Sequence, residues 1–169
     1  MPSAFDLALQ DAENSVKAGF NDATGRWSPH ASLEGGTGTL GYGHKLTARE
    51  AREGVVYIGG QPVALQRGID ETQAQQLYQQ DVQQAVGSLR ASWPNFDSLP
   101  RRYREVLTNI SFNVGRVSPQ GWPSLNRAMQ AGDDAGVRRE MVTTYTRPDG
   151  TKQRLTNRAT SIADAVGLQ

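Results

Sequence analysis

Two carboxylates and a hydroxyl stand out by type and position: Glu13, Glu34 and Thr39. Phe5, Ala8, Leu9, Ala12 and Val16 recur at helical spacing behind a plausible N-cap, Ser3, and Gly19 should end that helix. Glu13 follows Leu9 by one turn, at the edge of this apolar stripe. A carboxyl there is partly desolvated, which raises its pKa and favours its protonated form. A surface glutamate on an amphipathic helix is the plainer reading of the same position. Glu34 and Thr39 lie in residues 27–46, WSPHASLEGGTGTLGYGHKL. Glycine at that density lets backbone run through tight turns and close approaches that side chains would obstruct. Cleavage of an acetal needs this set: a protonated carboxyl for the leaving oxygen, and an ionised carboxylate to attack or to activate water.

Other chemistries fit less well. Gly36-Thr-Gly-Thr-Leu-Gly41 matches a dinucleotide fingerprint in letters only, because no buried strand precedes it and Gly41 opens no helix of a βαβ unit. A phosphate loop fails because His44 follows Gly43 where lysine is required. There is no cysteine, so disulfide and thiolate chemistry are excluded, and two histidines alone make a zinc site improbable. No metal and no organic cofactor is expected. His44 reads as a structural hydrogen bonder, with the Asp81 carboxylate as a candidate partner. No Gly-x-Ser-x-Gly elbow supports a serine triad.

The net charge of +1 argues against a nucleic-acid partner. The charge is unevenly spread, with 7 basic and 11 acidic residues in 1–100 against 11 and 6 in 101–169, so the basic part could face an anionic polymer. Hydrophobic content of 37% and charged content of 21% suit a folded globular chain. No apolar run approaches the roughly 20 residues of a membrane span, so no stable membrane insertion is expected. The N-terminus lacks the pattern of a signal peptide, which implies synthesis in a cytoplasm.

The elements that would position the site follow from periodicity and caps. Residues 39–44 alternate large and small like a short strand. Thr47-Ala-Arg-Glu50 is a capping box, and Gly59-Gly60 lies between two β-rich runs as a hairpin signal. Nothing beyond residue 65 reads as strand. Asp70-Glu-Thr-Gln73 caps a long helix carrying Ala74, Leu77, Tyr78, Val82, Val86 and Leu89, ended by Trp93-Pro94. Ser98 opens a second helix, through Tyr103, Val106, Leu107 and Ile110 to Gly115. A short helix runs from Pro123 to Gly132, Val137, Met141 and Tyr145 mark another, and Asn157 caps the last.

With these landmarks in place, the chain resembles the phage-type lysozymes, glycoside hydrolase family 24. Thr39-Leu-Gly-Tyr-Gly-His44 with Leu46-Thr47 is similar to the family's Thr-Ile-Gly-x-Gly-His-x-Leu-Thr signature. Residues 70–82 resemble the start of its long inter-lobe helix, Phe112-Asn-Val-Gly115 a segment lining its cleft, and Asn157-Arg-Ala159 an element of a late helix. The resemblance implies an α+β, mainly α, bilobal fold in one domain, 1–169. A small lobe at about 20–70 would join a helical lobe, 93–169 plus the N-terminal helix, through a helix at about 71–92. It implies Glu13 as catalytic acid, Thr39 as the residue positioning water, Arg158 beside the acid, and Asn113 and Tyr145 with Arg158 as substrate-binding residues. His44 and Asp81 match a structural pair.

The usual second carboxylate stands nine residues after the acid and about six before the threonine. Here acid and threonine are 26 apart. Asp22 meets the first spacing and Glu34, five before Thr39, nearly meets the second. Glu34 is the assignment, because a short connection ties it to Thr39. The implied activity is bacteriolytic hydrolysis of the β-1,4 bond between N-acetylmuramic acid and N-acetylglucosamine in bacterial peptidoglycan, by a monomer acting as free endolysin or as part of a virion. A lytic transglycosylase on the same fold, or a non-catalytic glycan-binding or virion module, are the alternatives.

Overall fold

The computed structural model describes residues 3–13, 19–31 and 38–169, with Glu13 through its backbone alone. In chain order the elements are α1 (Ala4–Glu13), β1 (Phe20–Asn21), β2 (Arg26–Trp27), β3 (Thr39–Leu40), β4 (His44–Lys45), α2 (Ala48–Glu53), β5 (Val55–Ile58) and β6 (Gln61–Ala64). There follow α3 (Glu71–Ser92), α4 (Arg101–Val114), α5 (Pro123–Ala131), α6 (Asp134–Glu140), β7 (Thr144–Thr146), β8 (Lys152–Arg154) and α7 (Thr156–Ala165). The chain is α+β and mainly helical, as expected. Its strands form separate two-stranded ladders, β1-β2, β3-β4, β5-β6 and β7-β8.

Two compact units divide the chain. One comprises Met1–Ala12, Val82–Tyr145 and Lys152–Gln169; the other comprises Glu13–Asp81 and Thr146–Thr151. The division falls inside α3.

The helical unit is an apolar core with capped ends. Ser3 caps α1 reciprocally: its Oγ accepts from the Asp6 amide at 3.1 Å while its own amide donates to the Asp6 carboxylate at 3.0 Å. Phe5 and Leu9 on α1 are buried, as are Val106, Leu107 and Ile110 on α4. The start of α4 differs from expectation. Residues Phe96–Ser98 form a 3-10 turn, Leu99 is extended, and the helix begins at Arg101 after Pro100. The proline, overlooked in the periodic pattern, clashes with helical geometry at the residue before it. Likewise Leu155, not Asn157, precedes the first turn of α7.

The further helix expected from Val137, Met141 and Tyr145 is present as α6, but Tyr145 is not part of it. The helix α6 stops at Glu140, and Tyr145 sits in β7 of a hairpin closed by the turn Arg147-Pro-Asp-Gly150. Val142, Thr143, Thr144 and Thr146 are β-branched, which favours strand over helix. Residues beyond 65 therefore do contain strand.

The hairpin unit packs Trp27, Leu40, Leu46, Val56, Ile58, Ile69, Ala74 and Leu77 together. Thr47 and Glu50 form the anticipated capping box of α2, and Asp70 with Gln73 caps α3 in the same way. Gly59 and Gly60, both at positive φ, make the tight turn between β5 and β6. Residues 39–44 are two strands rather than one: Gly41 and Gly43 adopt positive φ, and the chain reverses so that Leu40 pairs with His44.

Candidate active site

Thr39 is the one residue of the expected catalytic set whose side chain is described. Glu34 lies outside the described residues. Glu13 is the last residue of α1, short of the end expected at Gly19, with residues 14–18 and the Glu13 side chain outside the described residues. Thr39 is fixed on both sides. It pairs with Lys45 across the β3-β4 hairpin, and on its other edge exchanges two backbone hydrogen bonds with His30, at 2.8 and 3.0 Å. Its hydroxyl has no hydrogen bond among the described residues and is half-buried, so it is available to an added group. A hydroxyl on a backbone braced from both edges suits the orientation of a small polar molecule.

His30 was not singled out by sequence reasoning. No spacing marks it, and its link to Thr39 is made by backbone. Its Nδ1 is buried without a hydrogen-bond partner among the described residues. The ring lies against Gly19, where a Cβ would stand 2.9 Å from Nδ1 and 2.3 Å from the Ser28 carbonyl oxygen. At φ +80°, position 19 admits only glycine without displacement. Asp22, the alternative second carboxylate, is exposed in the turn joining β1 to β2. That hairpin is bolted to the segment before α3. Trp27 exchanges backbone hydrogen bonds with Ile69 at 2.8 and 2.9 Å, and the Arg26 guanidinium donates to the carbonyls of Arg67 and Gly68.

His44 supports this arrangement from behind β4. Its Nδ1 lies 2.9 Å from Asp81 on α3, and its Nε2 lies 3.1 Å from Glu50 on α2. Burial alone would push the imidazole pKa down. Hydrogen bonds and charge from Asp81, then Glu50, outweigh it, and the pKa is raised above its ordinary value. Burial likewise pushes the Glu50 carboxyl up, but the Thr47 amide and His44 hold it below the usual range. The structural pairing of His44 with Asp81 is thus present, with Glu50 as an unanticipated third member.

The expected substrate-binding residues Asn113 and Arg158 are brought onto neighbouring parts of the helical unit. Asn113 Nδ2 donates to Thr143 Oγ1 at 2.7 Å, and Arg158 Nε donates to Asn109 Oδ1 at 2.9 Å. Asn109 and Asn113 stand one turn apart on α4, and the Leu155 amide, just before α7, donates to the Thr143 carbonyl at 2.9 Å. Buried Asn109 and Thr143 therefore tie α4 to α7 around the two candidates. The Tyr145 hydroxyl donates across its hairpin to Gln153 Oε1 at 3.1 Å. Among the described residues no cluster of His, Cys, Asp or Glu could hold a metal ion, and no helix is long and apolar enough to cross a membrane.

The family model described as phage lysozyme matches residues 23–161, and the chain belongs to that family. The match includes Glu34, Thr39, Asn113, Tyr145 and Arg158; Glu13 and Asp22 precede it. Among individual proteins, the chain is similar to the peptidoglycan hydrolase gp36 of Enterobacteria phage SP6. Identity is 28% over 135 residues, covering 78% of this chain and 14% of the relative.

Proposed function

We propose that this domain is a glycosidase acting on bacterial peptidoglycan, and that it cleaves the β-1,4 bond between N-acetylmuramic acid and N-acetylglucosamine, with lysis as the outcome. Membership of the phage lysozyme family over residues 23–161 carries this reading. The name of the SP6 relative supports the substrate, although this chain spans 14% of that protein. In the proposal Glu13 protonates the leaving oxygen, Glu34 holds or deprotonates water, and the Thr39 hydroxyl orients it. Asn113, Arg158 and Tyr145 contact the glycan.

Mass spectrometry of fragments released from isolated peptidoglycan tests the reaction. Reducing muramic acid ends are expected. 1,6-Anhydro ends would replace the hydrolase with a transglycosylase, and no release from folded protein would discard the enzyme reading. Glu13→Gln should lower turnover by about 10²–10⁴-fold with unchanged circular dichroism. Glu34→Gln should cost far more activity than Asp22→Asn. The reverse order would move the second carboxylate to Asp22, and equal small losses would remove both.

A further inference from the structure

The helical unit contains a cavity of about 360 Å³ that plays no part in the proposed reaction. It lies among the start of α1, the second half of α3 and the first turns of α4. Phe5, Val82, Val86 and Phe96 give it an apolar wall, and Arg90, Arg101 and Arg104 line it as well. Its size is within the range of small-ligand sites.

The arginines are not equivalent. Arg90 Nε donates to both oxygens of Asp97, at 3.0 and 3.1 Å, and Arg101 Nε donates to Glu105 at 2.9 Å. The Arg104 side chain has no hydrogen bond or ion pair among the described residues, and its Nε is buried without a partner. Two carboxylates also line the cavity. Glu105 is engaged by Arg101, and Asp6 accepts from the amide and hydroxyl of Ser3, at 3.0 and 2.7 Å. A buried guanidinium donor without an acceptor is costly and uncommon. Its natural complement is a planar anion, which arginine binds through paired N–H groups.

We propose that this cavity is a binding site for an aliphatic carboxylate, the carboxylate on Arg104 and the aliphatic body against Val82, Val86 and Phe96. The C-terminus of a short peptide of small apolar residues and a short fatty acyl chain share this chemistry. The inference does not depend on the glycosidase reading.

The test is amide-resolved NMR titration of the intact chain with N-acetyl-alanyl-alanine, its C-terminal amide, and octanoate. Saturable shifts at Val86, Phe96 and Thr108 are expected with at least one acid. The response identifies the source: peptide acid alone means a peptide ligand, octanoate alone an acyl ligand, both a general carboxylate site. The peptide amide should bind at least tenfold more weakly than the peptide acid wherever the acid binds. Arg104→Gln should weaken binding of the active acid at least tenfold, and Val86→Phe should block it by filling the cavity with Arg104 intact. No saturable shift with either acid, equal binding of peptide acid and amide, or a folded Arg104→Gln variant that binds like the parent would overturn the proposal. The ligand comparison uses the unaltered protein, so it stands even if a variant fails to fold.

Discussion

The two units are held together by different physics. In the helical unit, α4 turns Val106, Leu107 and Ile110 into a core with no exposure, and ion pairs such as Arg90 with Asp97 and Arg101 with Glu105 lie outside that core, on exposed arginines. The hairpin unit has an apolar cluster too, but its short strands need clasps. His44 joins β4 to α2 and α3, and Glu71 accepts from Trp27 Nε1 at 3.1 Å and the Tyr42 hydroxyl at 2.6 Å. Apolar burial is insensitive to pH, whereas a clasp between ionisable groups is not. A braced hydroxyl such as that of Thr39 is therefore carried by the part of the molecule whose rigidity depends on protonation.

The largest effect expected on this contrast is in the core. Leu107→Ala should cost about 3–5 kcal/mol through the cavity it leaves, by nearly the same amount at pH 5 and pH 8 in denaturant titrations. Strong pH dependence of that cost would break the comparison.

His44→Gln should cost about 2–3 kcal/mol near pH 6, because two carboxylates lose their cation, and this cost should change with pH. The folded pKa of His44 is raised above 6.5, so its contribution is whole below that value and is lost as pH rises through the folded pKa. Glu50 is shifted below 4.5, so its contribution is present above that value and is lost as pH falls through its folded pKa. Hydrogen exchange, corrected for intrinsic rates, should show protection at Leu40, His44 and Val56 declining above neutrality while that at Leu107 and Ile110 holds. In His44→Gln the alkaline decline should vanish. Parallel behaviour of the two sets would refute the contrast.

The smallest stability effect is expected where function is proposed. Thr39→Val keeps shape and strand preference and removes a hydroxyl that has no hydrogen bond among the described residues. Its melting midpoint should move by no more than about 0.5 kcal/mol equivalent. Wall hydrolysis should nevertheless fall by about tenfold or more, the effect of losing an orienting group. A stable, fully active variant would take Thr39 out of the site.

Local signals accounted for much of this fold in advance. Thr47-Glu50 and Asp70-Gln73 are capping boxes in letters and in atoms, and Gly59-Gly60 made its hairpin, because such motifs act within four residues. The misses have equally local causes. Pro100 displaces the start of α4, and the helical spacing of Val137, Met141 and Tyr145 carries the expected helix into residues 142–146, where Val142, Thr143, Thr144 and Thr146 favour strand. The site was legible only in part. Asn109 meets Arg158 across 49 positions, and His30 meets Thr39 through backbone atoms that carry no side-chain signature. No spacing rule reports contacts of either kind.

The division of the chain also has a temporal side. The unit that owns α1 resumes only at Val82, while residues 13–81 supply nearly all of the other unit without interruption. During synthesis α1 therefore emerges well before the rest of its own unit. Phe5 and Leu9 stay exposed until the segment from α3 to α4 has been made, whereas the hairpins can close around Trp27 as they appear. The hairpin unit can thus close first, and α1 joins its own unit afterwards.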